Sequence, residues 1–410
     1  MTKKIIVILT LMVFIASIAF AEKPEVEYHS LFYIYSFSWQ NADFDSDTDD
    51  NDQHYYLHGD FSIDADYGNG VGSKLTLGAW GNFGRHAITA SGPETGVALR
   101  EAYLNVDNFF DTPISMKVGK QHVCYGDQVF DGGEDGFMGA TLTYGSDMFD
   151  MDLMSLRLEE GGGTNYIGSI TDSVPHDWNL YGAWGNIKMD NININPYGFM
   201  RTRGDAKPMW LGLRSDGSPM NGLNYSAEFT MMMGEDAAGT KYAGNHYMGR
   251  LDYNFPDMPL SLGGGYVNLS GNDPSTDDNE LYESPSWGPY TFGFYKGWPG
   301  FGPAHLLRSA YGFSLTAPWA GMVTNTNIMN GHIGYSMGKF DMRADFFKYA
   351  KNEVASGMDE DMGTEMALML QYHYKDTITF GATGGYWTPG DYFSGDDPMM
   401  GGYIWTAIGF

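Results

Sequence analysis

The chain has 410 residues, and its 23 Lys and Arg stand against 51 Asp and Glu, a formal net charge of −28. So acidic a chain has no basic stripe to neutralise phosphates, which excludes nucleic acid as a partner. Gly (55), Tyr (28), Phe (25) and Trp (10) are used heavily within a mildly polar average, the composition of strands that face lipid and water alternately.

The amino terminus reads as a secretory signal peptide over residues 1–21. Lys3 and Lys4 form its charged region, Ile5 to Ile18 its apolar run, and Ala19-Phe20-Ala21 the small-x-small pattern before a cut ahead of Glu22. The run falls short of the ~20 residues that span a bilayer as a helix. No later stretch reaches 18 apolar residues, so a membrane location requires a closed barrel. Without Lys3 and Lys4, 21 basic residues oppose 51 acidic ones, a net charge of −30. Residues 22–410 are expected to form a single outer-membrane β-barrel domain.

The acidic run Asp43-Phe-Asp45-Ser-Asp47-Thr-Asp49-Asp50-Asn51-Asp52 invites a calcium reading. Counted from Asp45 as an EF-hand loop, the sixth position is Asp50 where Gly is needed and the twelfth is Tyr56 where Glu is needed. It reads as a solvated loop, as do Asp359-Glu360-Asp361 and Asp396-Asp397, and no metal site is expected. The single cysteine, Cys124, excludes an intrachain disulfide framework and reads as a small apolar strand residue. With no C-x-x-C-H, H-E-x-x-H, G-x-S-x-G or Walker-type loop, neither a cofactor nor an enzyme is expected.

Period-two segments of about ten residues recur along the chain, as in transmembrane barrels. In 223–233, Leu223, Tyr225, Ala227, Phe229, Met231 and Met233 oppose Asn224, Ser226, Glu228 and Thr230. In 247–255, Tyr247, Leu251 and Tyr253 oppose Arg250 and Asp252. In 340–346, Phe340, Met342 and Phe346 oppose Asp341, Arg343 and Asp345. In 364–375, Met366, Leu368 and Leu370 oppose Glu365, Gln371 and His373. A charge on the lipid face costs about 2–4 kcal/mol for Arg or Lys at midplane. Glu228, Arg250, Asp252, Asp341, Arg343, Asp345, Glu365, Gln371 and His373 are therefore expected to line the lumen, with Arg343 between Asp341 and Asp345 in a charge ladder.

Tight turns are expected at Asp190-Asn191, Pro256-Asp257, Gly338-Lys339 and Lys375-Asp376, and long polar loops at 42–54, 84–96, 160–177, 235–243, 351–362 and 388–400. Short turns belong on the periplasmic side and long loops outside. A first count gives nineteen strands, one of them at 306–317. Because 260–270 runs outward and 326–337 runs inward, no single spanning strand fits between them. Eighteen strands remain, and 271–325 becomes one outer-side insertion. Its first half, Asn272 to Glu283, reads as solvent-exposed. Its second half carries Trp287, Tyr290, Phe292, Phe294, Tyr295 and Trp298, aromatics expected to fold into the lumen and narrow it, or else to pack as a lid at the rim.

The last ten residues alternate, with Ile404, Thr406, Ile408 and Phe410 on one face and Tyr403 and Trp405 on the other. As the closing strand of a barrel, the segment would put Phe410 in an aromatic girdle at the periplasmic interface, and it resembles the terminal signature that outer-membrane barrels present to their assembly machinery.

Val118-Gly-Lys-Gln-His-Val-Cys-Tyr-Gly-Asp-Gln128 resembles the G-R-Q…Y-G-D signature of the alginate-export family of outer-membrane barrels. Arg100-Glu101-Ala102-Tyr103, a Gly-Thr-Glu at 363–365, and Gly384-Gly-Tyr-Trp-Thr-Pro-Gly-Asp-Tyr-Phe393 are similar to further elements of that family. The resemblance implies an eighteen-stranded barrel serving as a passive conduit, for anionic polysaccharide in the namesake members. It also implies lumen or rim positions for Arg100, Glu101, Lys120, Gln121 and Asp127. Lys120 stands where the family has Arg, and the clean lumenal faces carry more acids than bases, whereas a polyanion is drawn through a basic constriction.

The expected function is an outer-membrane channel for hydrophilic solutes or oligosaccharide and polysaccharide, set in outer-membrane lipid. A structural sheath around a periplasmic electron carrier or a secretion component is the alternative. The sequence leaves the solute and the oligomeric state open.

Overall fold

The computed structural model describes residues 24–41, 45–47, 52–83, 95–126, 130–131, 136–159, 177–285 and 325–410. In chain order these residues carry β1 (Glu25–Gln40), β2 (Asp52–Asp66), β3 (Val71–Phe83), β4 (Thr95–Val106), β5 (Ile114–Gln121), β6 (Cys124–Tyr125), β7 (Phe130–Asp131), β8 (Phe137–Gly145), β9 (Phe149–Glu159) and β10 (Trp178–Met189). They continue with β11 (Ile192–Arg203), β12 (Met209–Met220), β13 (Leu223–Met233), β14 (Asn245–Asn254), β15 (Leu260–Leu269), β16 (Thr326–Met337), β17 (Phe340–Lys351), β18 (Asp361–Lys375), β19 (Ile378–Pro389) and β20 (Met399–Gly409). The signal peptide expected at 1–21 and the strand first counted at 306–317 lie outside the described residues.

Among the described residues, eighteen strands form one antiparallel sheet, each paired with its neighbour in the chain. β6 and β7 are a separate short hairpin between β5 and β8, and those two strands pair with each other. β20 returns to β1 in a register running from Leu31↔Gly409 to Gln40↔Met400. Backbone bonds of 2.6 and 3.0 Å between Ser30 and Phe410 extend that seam to the last residue. The sheet is therefore a closed barrel with no free edge, the one way a sheet satisfies its backbone groups in hydrocarbon.

Alternation divides every wall strand into two faces. The outward face is apolar and open, with Leu213, Phe229, Leu251, Ile333, Phe346, Met366 and Leu368 all exposed. Ile404 and Phe410 join it at 68% and 72% exposure. Polar residues from the same strands point inward and are covered, among them Glu228, Thr230, Arg343, Asp345 and Glu365. Water-soluble folding would bury the first set and expose the second. Lipid outside and a polar lumen inside account for the inversion.

Tight turns close one end, at 190–191, 221–222, 338–339 and 376–377. Gly338 takes φ +61° in its turn, a left-handed conformation that costs a residue with a Cβ. The long connections leave from the other end, together with one tight connection at 204–208 that the sequence pattern did not announce.

Candidate functional site

The inner wall holds a continuous ladder of polar side chains across four neighbouring strands. Arg250 is ion-paired with Asp252 on β14, and Asp252 meets His332 Nε2 on β16 at 2.9 Å. Between them lies Gly263 of β15, where an added Cβ would sit 2.5 Å from both the Asp252 carboxylate and the His332 ring, so the crossing needs glycine. The other nitrogen of His332 lies 3.1 Å from Asn330 Oδ1, and the Asn330 amide donates to Asp345 at 3.1 Å. Arg343 donates to both oxygens of Asp345 at 2.7 Å. Arg343 thus pairs with Asp345 alone of its two acidic neighbours. Asp341 takes His373 Nε2 at 2.7 Å near the tight-turn end. Gln371 is on the same inner face, opposite Asp341. Glu228 accepts from Tyr197 Oη at 2.9 Å, and Glu365 from Tyr349 Oη at 3.1 Å.

Arg100 and Glu101 are adjacent, yet both are turned to the lumen. A register shift between Thr76 and Leu77 places a bulge in β4 at Arg100, and the extra residue lets both side chains point one way. Arg100 lies across Gly78, where a Cβ would come within 2.0 Å of its Nε, and reaches the Asp60 carboxylate at 3.1 and 3.2 Å. Glu101 accepts from Thr76 at 3.0 Å and sits 3.5 Å from Lys74. Gln121 is buried inside and accepts from Thr141 at 3.0 Å. Lys120 departs from the lumenal expectation. It has the parity of exposed Val118, pairs in register with Ala102, and takes the outer face, its ammonium donating to the Leu99 carbonyl. A long lysine stem allows such a charge to snorkel at the end of a strand. Asp127 lies outside the described residues.

Sequence patterning missed a segment that folds into the barrel, the connection between β5 and β8. Its hairpin β6–β7 places Phe130 at 0% exposure against Phe199, with ring centroids 5.4 Å apart. Tyr125 stacks on Trp184 at 5.0 Å and donates to Asp152 at 2.8 Å. Burial, then the Asp152 charge, push the Tyr125 phenol well above its ordinary pKa and keep it a donor. Trp184, Tyr197 and Phe199 make the wall under it, and glycines on neighbouring strands form their floor: a Cβ at Gly212 would sit 2.1 Å from the Tyr197 ring, and one at Gly182 would sit 2.4 Å from Phe199. Cys124 therefore belongs to this inward hairpin and not to the barrel wall. The apolar spacing Val123, Cys124, Tyr125, Phe130 inside a Gly-rich loop was the signal available.

The insertion between β15 and β16 is described only to residue 285. The aromatics Trp287, Tyr290, Phe292, Phe294, Tyr295 and Trp298 lie outside the described residues. Its first half is not wholly solvent-exposed as expected. Tyr282 is 1% exposed beside His246, and Glu283 is paired with Arg201 at 3.0 Å while its carbonyl accepts from the Trp210 indole at 2.8 Å. Burial and the nearby Glu228 charge raise the Tyr282 pKa. Across the same rim, Ser46 donates twice to Asp397, at 2.9 and 2.6 Å, tying the first long loop to the last and holding the Asp397 carboxyl below its usual range.

Charge is distributed unevenly inside. Arg100, Arg201, Arg214, Arg250, Arg343, Lys74 and Lys188 each sit on a carboxylate. At the tight-turn end, Glu25, Glu27, Asp64, Asp66 and Asp107 surround a cavity of about 380 Å³ in which Lys74 is the cation. The wall thus presents a surplus of negative charge to any solute.

A closed barrel with lipid on its outside, a hydrogen-bonded polar wall within and loop segments folded into its lumen is an outer-membrane β-barrel channel for passive passage of solutes. The family model described as "Alginate export" matches residues 38–282. The chain belongs to the alginate export family, and its place is the outer membrane of a Gram-negative bacterium. Solved structures similar in fold include OccAB4 of Acinetobacter baumannii, with a TM-score of 0.59 at 10% identity over 94% of this chain and 98% of that one. OccK5 (OpdH) of Pseudomonas aeruginosa aligns with a TM-score of 0.55 at 14% identity, over 94% and 98% of the two chains. OccK8 (OprE) of the same organism gives 0.56 at 13% identity, over 94% and 98%. No curated protein matches the chain.

Proposed function

We propose that the chain is a non-enzymatic conduit for small hydrophilic solutes and oligosaccharides that are neutral or cationic, with polyanions disfavoured. The observation that carries this reading is the pairing of inner-wall cations: Arg100, Arg201, Arg214, Arg250, Arg343, Lys74 and Lys188 each already sit on a carboxylate, while the tight-turn mouth stays acidic. Attraction of a polyanion needs a focused positive field, and an acidic, low-dielectric mouth raises the local concentration of cations instead. In this reading the pore is narrowed by the β6–β7 hairpin on one side. Arg250, Asp252, Asp341, Gln371 and His373, with Glu101, are the partly open positions of the wall that the solute meets, and Glu228, Arg343, Asp345, Glu365, Arg100 and Gln121 are the covered lumenal groups that hold that wall in place.

The chain is read as one barrel domain over 22–410 preceded by a cleaved signal at 1–21. The outward Phe410, exposed at 72% at the end of the closing strand, supports recognition by the barrel-assembly machinery. Its truncation is expected to reduce the heat-modifiable folded form in the outer membrane.

Liposome swelling with the purified mature protein tests the transport reading. Vesicles in isotonic arabinose or lysine hydrochloride should swell several times faster than vesicles in a sodium oligouronate of similar mass. Equal rates, or faster entry of the uronate, would overturn the charge assignment.

A further inference from the structure

Two histidines stand at the tight-turn end of the lumen, each set against carboxylate and each open to water. His29 of β1 alternates with Tyr28, which is exposed on the outer face, so its ring turns inward. Its Nε2 lies 3.5 Å from Glu27 of the same strand and 3.5 Å from Asp64 of β2. Glu27 and Asp64 are register partners, and both line the acidic cavity that holds Lys74. Like charges directly opposite one another destabilise an antiparallel pair, and this imidazole is seated where one proton offsets both. Ser62 is opposite His29 on β2, and from the β20 side the chain end at Phe410 bonds Ser30.

His373 of β18 alternates with Tyr374, which is exposed on the outer face. Its Nε2 lies 2.7 Å from the Asp341 carboxylate of β17, and a carboxylate only accepts, so this nitrogen holds a proton in either charge state. Its Nδ1 lies 3.2 Å from the Thr379 hydroxyl of β19. A hydroxyl gives or takes a hydrogen bond, so the neutral ring accepts from Thr379 and the charged ring donates to it with no atom displaced. Gln371 is its inward neighbour on β18. Lys339 and Lys375 are engaged elsewhere, the first donating to the Tyr374 carbonyl at 2.8 Å and the second lying 5.5 Å over the Tyr374 ring. By contrast His332 is covered, with an acceptor at each nitrogen, the Asp252 carboxylate and Asn330 Oδ1. His29 and His373 are 52% and 45% exposed.

Resting on the reading of the protein as a cation-preferring channel, we infer that His29 and His373 are selectivity residues of the tight-turn mouth, where proton uptake sets how strongly cations are preferred. With both rings neutral, the carboxylates beside them face the pore at full charge. Each proton taken up as pH falls adds one positive charge next to Glu27 and Asp64, or next to Asp341, and cancels part of the field that concentrates cations. Histidine is the side chain whose ordinary charge change falls between about pH 5 and 8. Ordinary carboxylates, titrating at about pH 4, and lysines keep their charge across that range. A unit charge about 10 Å from the ion path shifts the ratio of cations to anions there about twofold at moderate salt. No segment of the chain has to move.

The test is the reversal potential of the full mature chain in a planar bilayer under a tenfold KCl gradient, at about pH 8 and about pH 5.5. The wild-type ratio of K⁺ to Cl⁻ permeability should fall roughly fourfold on acidification, and His29→Gln and His373→Gln should each leave a fall of roughly twofold. The double glutamine variant should show none. His29→Lys combined with His373→Lys should show at the higher pH the weaker preference that wild type reaches at the lower one, which a merely structural role would not produce. If the double glutamine variant fails to fold, the lysine pair and His373→Gln carry the comparison. A full pH response in the double glutamine variant, no response in wild type, or a stronger cation preference at the lower pH would overturn the inference while leaving the channel reading intact. Absence of any open step would instead overturn the channel reading itself.

Discussion

Arg343 and Asp345 are two residues apart on one strand and share two hydrogen bonds of 2.7 Å inside the barrel, so removing one strands the other. Both are more than nine-tenths covered. Arg343→Ala should lower the stability of the folded barrel by on the order of 3 kcal/mol, the cost of an uncompensated covered charge. The double variant with Asp345→Ala should recover part of that loss, as read by urea unfolding in detergent or lipid. A double variant destabilised by the sum of the separate Arg343→Ala and Asp345→Ala losses would show that the pair does not act as a unit. Tyr125 gives a second prediction at this scale. Its phenol is pushed up when docked, whereas a free tyrosine ionises at about pH 10. Docking of the hairpin is therefore indifferent to pH below about 10 and weakens as pH rises beyond it, because only the undocked phenol ionises there. Conductance should rise above about pH 10 in wild type, and the component due to this residue should vanish in Tyr125→Phe.

At the scale of the element, each wall strand is one apolar face and one polar face, and the two respond oppositely to the same change. Leu368→Arg, at a position 62% exposed to lipid, should cost about 2–4 kcal/mol of folding stability, as charges do near midplane. Gln371→Arg, three residues along on the inner face, should be tolerated within about 0.5 kcal/mol. Folding titrations into vesicles distinguish the two, and similar losses would contradict the assignment of faces. These faces were legible in the sequence because alternation is local: Phe229 beside Glu228, or Met342 beside Arg343, needs no tertiary knowledge to sort. The eighteen-strand count was legible too, since turns must alternate between the two sides. What depended on register was not. The bulge at Arg100 shows only when Thr76 is paired with Glu101 and Leu77 with Leu99. Lys120 was placed at the lumen or its rim by family resemblance, and its parity with Val118 turns it to the outer face. The inward hairpin at 124–131 was hidden for a further reason. Two strands of two residues are too short for any periodicity, and they are buried against Trp184 and Phe199, which are distant in sequence.

The whole molecule is a hollow body whose sign of charge is set before any solute arrives. With 51 acidic residues against 23 basic ones and Arg100, Arg250 and Arg343 of the inner wall already paired, the lumen should favour cations. The preference should fade as salt rises, because screening shortens to about 3 Å at 1 M. Phe130→Ala, which removes the ring pinning the hairpin to the wall, should widen the pore and raise single-channel conductance without changing the sign of selectivity. The central claim is that this barrel is an open, cation-preferring channel. It is tested most directly by single-channel recording of the purified mature protein in a planar bilayer under a tenfold KCl gradient. Stable open steps are predicted, with a reversal potential displaced towards that of K⁺. A sealed bilayer at every voltage, or a reversal potential displaced towards that of Cl⁻, would contradict the claim.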